Sequence, residues 1–284
     1  MSIHNRCHTD QLFKNQIGFG VTTDLSMPHS IGDTNQARSQ TMSMDFLTKN
    51  RIVKSGFVRI RRRIQDLSPA ERARAKEDHA AVAARFPFLA EDAFAKAAAD
   101  AENRLNESHA HYIANVGHPV HAASIELAVF MDVICNGLNP TRVADLGSGF
   151  TSFVVRSFAK GSTSGVDVSS VDDHPEWLQK TKDYLTGKDV SAQNVLLWDE
   201  FSGSDPAPFD LVLHDMGMMD FRAQTLERVL QLTRPGGVVI LDDMHKPEYR
   251  TFALQTLEQK GLEHYSLRAL THDNLTRYAY LVIT

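Results

Sequence analysis

An α/β fold, doubly wound around a mostly parallel sheet with an N-terminal helical cap, is predicted by three observations. From Thr141 onward, short β-branched runs alternate with helical stretches. Four of those runs, "VSSVDD", "NVLLWD", "FDLVLHD" and "GGVVILDD", end in carboxylates. The carboxyl ends of the strands in an open α/β sheet form the ligand crevice, so these acids gather along one edge. Upstream, residues 66–140 read as helices placed to cover that edge.

The chain has 284 residues, 42% of them hydrophobic, enough for a large domain with an appendage. A formal net charge of -5 gives no global attraction to nucleic acid or anionic membranes. Cys7 and Cys135 lie far apart and show no metal-type spacing, which predicts a reducing, cytoplasmic setting. The first residues lack an apolar signal core, and no run approaches the roughly 20 apolar residues of a membrane helix, so no membrane partner is expected.

Residues 1–65 form the first segment. It opens with a stretch rich in Ser, Thr, Asn, Gln and Gly, a composition predicting a flexible arm. It closes on "RIVKSGFVRIRRRIQ", where Arg51, Lys54, Arg59, Arg61, Arg62 and Arg63 make either a solvated basic face or a contact for an anionic surface or another subunit. In the cap region, 66–140, Ser68-Pro69-Ala70-Glu71 has the form of a capping box and opens a helix to about Arg85. An alanine-rich helix over Ala93–Asn115 follows. A third, over Ala122–Cys135, presents Ile125, Leu127, Ala128, Met131 and Ile134 at helical spacing.

The third segment, 141–284, opens with "RVADLGSGF". Gly147 and Gly149 permit a tight strand-to-helix turn, with helix N-terminal amides free to meet an electron-rich ligand group. A dinucleotide fingerprint wants a third small residue where this chain continues Phe150-Thr151-Ser152. In "VDVSSVDDHPEWL" the Pro-Glu helix start lies three residues beyond Asp172, so the strand runs Val168–Val171, Asp172 terminates it and Asp167 is a loop residue. Trp177 reads as a helix-packing residue. The chain closes on two strands near "YSLRAL" and "RYAYLVIT".

Taken in order, "VADLGSGFTS", "SVDDHPEWL", "LLWDEF" and "RPGGVVILDD" resemble the motifs of class I methyltransferases that use S-adenosylmethionine, over about Thr141–Thr284. The resemblance implies a seven-stranded, Rossmann-like sheet and S-adenosylmethionine as cofactor. It further implies that Asp145, Gly147, Ser148 and Gly149 flank the methionine part, that Asp172 and Asp173 lie at the ribose, and that Asp199 or its neighbour Trp198 lies by the adenine in an acidic turn.

Methyl transfer to a hydroxyl needs alignment and a way to remove a proton. The fourth and fifth strands end in "LHDMG" and "LDDMHK", which put His214, Asp215, Asp242, Asp243 and His245 near the crevice. One reading is similar to the metal-dependent catechol-type O-methyltransferases. Asp215 with Asp242 and Asp243 then hold Mg²⁺, with Asp replacing the family's amide and no clear counterpart of its lysine base in "HDMGMMDFR". The other uses His245 or His214 as a general base without metal, beside Asp215. Upstream, His109, His111, His118 and His121 with Tyr112 lack a recognised zinc spacing, and His118, His121 and Ser124 are candidates for the acceptor pocket.

The expected function is O-methylation of a small-molecule metabolite, with a nitrogen acceptor as the alternative. A nicotinamide-dependent oxidoreductase and a non-catalytic cofactor-binding module are the other classes. Nucleic acid is not expected as substrate, because Asp215-Met216-Gly217 stands where amino-methylating enzymes of nucleic acids carry an Asn or Asp-Pro-Pro-aromatic turn. The leading helices and arm predict a homodimer.

Overall fold

The computed structural model describes residues 64–284. The arm up to Arg63, with its basic stretch and Cys7, lies outside the described residues. Helix α1 (Pro69–Arg85) starts as expected: the Ser68 hydroxyl accepts from the Glu71 amide at 3.3 Å, and the Glu71 carboxylate accepts from the Ser68 amide at 3.1 Å. A 3₁₀ turn (Pro87–Leu89) leads to α2 (Glu91–Asn115), and α3 (Ile125–Leu138) follows. The third helix begins later than the sequence suggests because Ser124 is its cap, its hydroxyl accepting from the Leu127 amide at 3.1 Å. It ends at Asn139, which takes the left-handed conformation with φ 48°.

Seven strands then form one sheet in the order β3-β2-β1-β4-β5-β7-β6. Strands β1 (Arg142–Leu146), β2 (Asp167–Asp172), β3 (Val195–Leu197), β4 (Phe209–His214) and β5 (Thr233–Leu241) are parallel. The closing strands β6 (Glu263–Ser266) and β7 (Tyr280–Ile283) carry the antiparallel pairings, β7 with β5 and β6 with β7. Between them lie α4 (Phe150–Gly161), α5 (Pro175–Gly187), α6 (Trp198–Gly203), α7 (Met219–Leu232), α8 (Pro247–Gln259) and α9 (Arg268–Thr271).

Strand parity distributes the core between two faces. Val143, Leu211, Leu213 and Ile240 join a cluster with Val154 of α4 and with Phe94, Phe130 and Met131 of the leading helices. Ala144, Leu146, Val212, Val239 and Leu241 join the opposite cluster with Leu226 and Val229 of α7 and Leu257 of α8. The apolar core therefore runs unbroken across the expected boundary at residues 140/141. Burying Phe94 and Phe130, both wholly inaccessible, contributes roughly 1.5–3 kcal/mol each.

Asp167 is not a loop residue but the first of β2, held there by Arg142 at 3.2 Å at the end remote from the crevice. Asp210 clamps the same remote edge. Its carboxylate accepts from the Thr141 amide (2.7 Å) and hydroxyl (2.8 Å), from the Arg142 amide (2.9 Å) and from Arg234 Nε. The buried Arg156 of α4 spans from α4 to β2 and the segment before β3, donating to Ser170 Oγ and to the carbonyls of Val168, Ser191 and Asn194.

Candidate functional site

The turn after β1 fits against the residue after β4. Gly147 has φ 115°, and a Cβ there would lie 2.6 Å from both the carbonyl carbon and oxygen of Asp215. Only glycine lets the two segments approach this closely. The amides of Gly147 and Ser148 both donate to the Val171 carbonyl (2.8 and 3.0 Å), and that of Gly149 to Ser152 Oγ (3.2 Å). The amides of Gly147, Ser148 and Gly149 are thus bonded within the protein, to the Val171 carbonyl of β2 and to Ser152 Oγ, rather than held open to a ligand. Ser148 Oγ donates to Asp172 Oδ2 at 3.0 Å, tying the turn to the end of β2.

Carboxylates surround this turn. Asp145 is fully buried, and its Oδ2 accepts from Ser152 Oγ at 2.5 Å while Oδ1 has no hydrogen-bond partner among the described residues. Burial pushes its pKa up to about 6 against the neighbouring hydroxyls of Ser152 and Thr151. Asp172 is the last residue of β2 and also accepts from the His174 amide at 3.0 Å; burial raises its pKa. Asp173 follows, exposed, and its Oδ2 reaches the neighbourhood of Gly217. Trp198 and Asp199 open the short helix α6, whose first turn carries the acids Asp199 and Glu200. Trp198 is half-buried against Phe201 and Phe221, and Asp199 is exposed. Above the turn, Tyr112 of α2 packs on Phe150 and Tyr184, and its hydroxyl would lie 3.2 Å from a Cβ on Gly149.

The ends of β4 and β5 bring Asp215, Asp242 and Asp243 together, with one oxygen of each within 4.8 Å of the others. Asp243 takes the left-handed conformation, φ 57°, a position that costs a non-glycine residue about 1 kcal/mol or more. Between these acids lies a residue the sequence analysis did not single out. Arg222, 5% exposed, reaches from α7 to Asp215 Oδ1 (2.7 Å) and Asp243 Oδ2 (3.2 Å), and donates to the carbonyls of Asp215 (2.9 Å) and Gly217 (3.2 Å). Burial pushes Asp215 up to about 7, with Arg222 opposing and Asp243 adding to the rise. Asp242 is raised by burial and by Asp215 and Asp243.

His245 Nδ1 lies 3.4 Å from Asp243 Oδ1. Burial lowers its pKa more than Asp243 raises it, so the ring is neutral near pH 7. His214, the other expected base, is corrected to a structural residue. It shares strand parity with Val212 and is wholly buried, with Nε2 3.0 Å from Thr225 Oγ1 and Nδ1 3.5 Å from the Tyr249 hydroxyl. Burial depresses it to about 3.

The connection between α2 and α3 is tied to this end of the sheet by Arg277. Its Nη1 donates to the carbonyls of Val120 (3.0 Å) and Ala122 (3.1 Å), and its Nε to Asp273 (2.6 Å). His118 and His121 stand together there, ring centroids 5.3 Å apart. Ser124 spends its hydroxyl on the α3 cap, and His109 bonds the Ala123 carbonyl while packing edge-on to Phe150. Trp177 is half-buried, with Lys180 Nζ 4.1 Å from its ring centroid.

No protein-family model matches this chain, and no curated protein does. Among solved structures, the SAH-bound methyltransferase PaMTH1 of Podospora anserina is similar with a TM-score of 0.51 at 12% identity, over 69% of this chain and 97% of that one. An O-methyltransferase from Bacillus cereus in complex with SAH gives 0.48 at 14% identity, over 65% and 91%. The O-methyltransferase TomG from Streptomyces achromogenes, in complex with SAM and involved in tomaymycin synthesis, gives 0.44 at 14%, over 66% and 89%. The first of these likenesses establishes the shared α/β fold, with its seven-stranded, mostly parallel sheet.

Proposed function

We propose that this protein transfers a methyl group from S-adenosylmethionine to an oxygen atom of a small molecule. The observation that carries the reading is the chemistry of the crevice. Its strand ends present Asp145, Asp172, Asp173, Asp215, Asp242 and Asp243, while the amides of Gly147, Ser148 and Gly149 are already bonded. Such a crevice repels a pyrophosphate, which disfavours a nicotinamide dinucleotide, and suits a ligand carrying an ammonium group, a ribose diol and a sulfonium. Oδ1 of Asp145, without a hydrogen-bond partner among the described residues, fits the ammonium group, Asp172 the ribose hydroxyls, and Trp198 the adenine.

When bound, S-adenosylmethionine supplies an electrophilic methyl carbon. The chain's own residues supply the rest. His245, neutral near pH 7 with Nδ1 toward Asp243, takes the acceptor's hydroxyl proton at Nε2, and Asp243 stabilises the imidazolium that results. The connection held by Arg277, with His118 and His121, walls the acceptor side. We place the protein in the cytoplasm as a homodimer, in keeping with the buried free thiol of Cys135; among the described residues no helix is long and apolar enough to cross a membrane. Sedimentation tests the dimer.

Calorimetric titration with S-adenosylmethionine, S-adenosylhomocysteine and NAD tests the cofactor. The first two are expected to bind at micromolar concentration. Asp172→Ala is expected to weaken them about 30-fold, the equivalent of about 2 kcal/mol for hydrogen bonds to a charged acceptor. Binding of NAD alone would refute the reading.

A further inference from the structure

The three acids at the ends of β4 and β5 are the donor set a hard divalent cation would use, so the ion balance of this cluster decides whether one fits. Mg²⁺ demands near-octahedral oxygen coordination at about 2.0–2.1 Å and tolerates little distortion. Here Asp215 Oδ1 and Asp243 Oδ2 both face the Arg222 guanidinium, and Asp243 Oδ1 faces His245. The guanidinium is not a surface side chain that has folded inward. It is 5% exposed, and the carbonyls of Asp215 and Gly217 fix its plane at the start of α7. A second positive group, Arg277, stands close enough to interact with Asp215, Asp242 and Asp243.

We infer that Arg222 is the resident cation of this cluster and takes the place of a divalent metal, so that the site works without one. An ion bridging Asp215 and Asp243 would displace or directly oppose a delocalised charge that already pairs with Asp215 at 2.7 Å, lies 3.2 Å from Asp243 and stays protonated at any physiological pH. The planar donor fork also bonds the Asp215 backbone carbonyl, and so the rim of the glycine turn, through the same side chain. By fixing Asp243 in its left-handed turn, Arg222 is a positioning residue for the Asp243–His245 pair. The inference rests on the proposed reaction only for the location of the site, and the experiment reads cation binding and adenosyl-ligand binding separately.

The test is an electron paramagnetic resonance titration of Mn²⁺ into the full chain, with and without S-adenosylhomocysteine, whose own binding is followed by calorimetry. The wild type is expected to leave the free Mn²⁺ signal unchanged at millimolar ion. Arg222→Met, which keeps the apolar stem and removes the charge, is expected to bind Mn²⁺ at least tenfold more tightly than the wild type. One-to-one Mn²⁺ binding by the wild type, displaced by Mg²⁺ and abolished in Asp242→Asn, would overturn the inference. So would a folded Arg222→Met that gains no Mn²⁺ affinity. The wild-type titration decides the matter even if that variant does not fold. Absence of S-adenosylhomocysteine binding by the wild type would count against the proposed function alone.

Discussion

Replacing Gly147 by alanine tests whether the turn after β1 and the segment after β4 form one rigid unit. The added Cβ would meet the Asp215 carbonyl carbon and oxygen at 2.6 Å and the Met216 amide nitrogen at 2.9 Å, all main-chain atoms that cannot rotate aside. Holding a non-glycine residue at φ 115° costs about 1–2 kcal/mol, and forced overlap in a packed interior adds roughly 1–3 kcal/mol. A total of about 2–5 kcal/mol is a large fraction of the 5–15 kcal/mol that typically separates folded from unfolded chains. Urea unfolding at constant slope reads the loss, and calorimetry with S-adenosylhomocysteine reads the displacement of Asp215 from the crevice rim. Gly161→Ala, at a helical position where a Cβ meets nothing within 4 Å, is the control and is expected to be neutral or to stabilise by about 0.5 kcal/mol. A Gly147→Ala protein that loses less than about 1 kcal/mol and binds the ligand unchanged would refute the reasoning.

Other expectations follow from single groups. For Asp210, burial raises the pKa, but the bonds from Arg234, Thr141 and Arg142 outweigh it and hold the carboxyl at about 2 against 3.8 in an unfolded chain. The unfolded state therefore binds more protons below pH 4. The contribution, roughly 2 kcal/mol, is present above that pH and lost as pH falls toward 2, so Asp210→Asn should lower stability at pH 7 and flatten the acid limb of a stability profile. His245→Ala should lower kcat by about 10²–10³ while leaving S-adenosylhomocysteine affinity unchanged. Because the neutral ring is the base and its pKa lies below 6.5, kcat/KM should rise with pH through a value under 6.5 and stay flat above it; a rise continuing past pH 8 would exclude His245.

The fold was legible because strand parity, capping and order are local signals. Pro175 three residues past Asp172 marked the end of β2, and Ser68 with Glu71 marked the start of α1. His214 was misread although the signal was present: it shares parity with Val212, whose face is covered by α7 and α8, so its ring points into the core rather than the crevice. Arg222 and Arg277 were not legible as site residues, because their roles depend on which helix or loop folds over the acids. "HDMGMMDFR" holds no lysine and closes on Arg222, whose reach to the acids is set only once α7 packs beside β4 and β5. The consumption of the glycine-turn amides was equally hidden, since it depends on the Val171 carbonyl of the neighbouring strand.

Arg277 grips the connection above the crevice, among the described residues, through the carbonyls of Val120 and Ala122. A clasp that reads main chain alone is indifferent to the side chains it carries. Val120 and His121 can therefore be exchanged without releasing the connection from Asp273 and the closing strands, whereas His118 Nδ1 also accepts from the Val120 amide. On the proposed reading, a change of side chains in this stretch would alter the acceptor while leaving the donor side constant. The same property makes it the natural segment to randomise when redirecting the protein to a new acceptor.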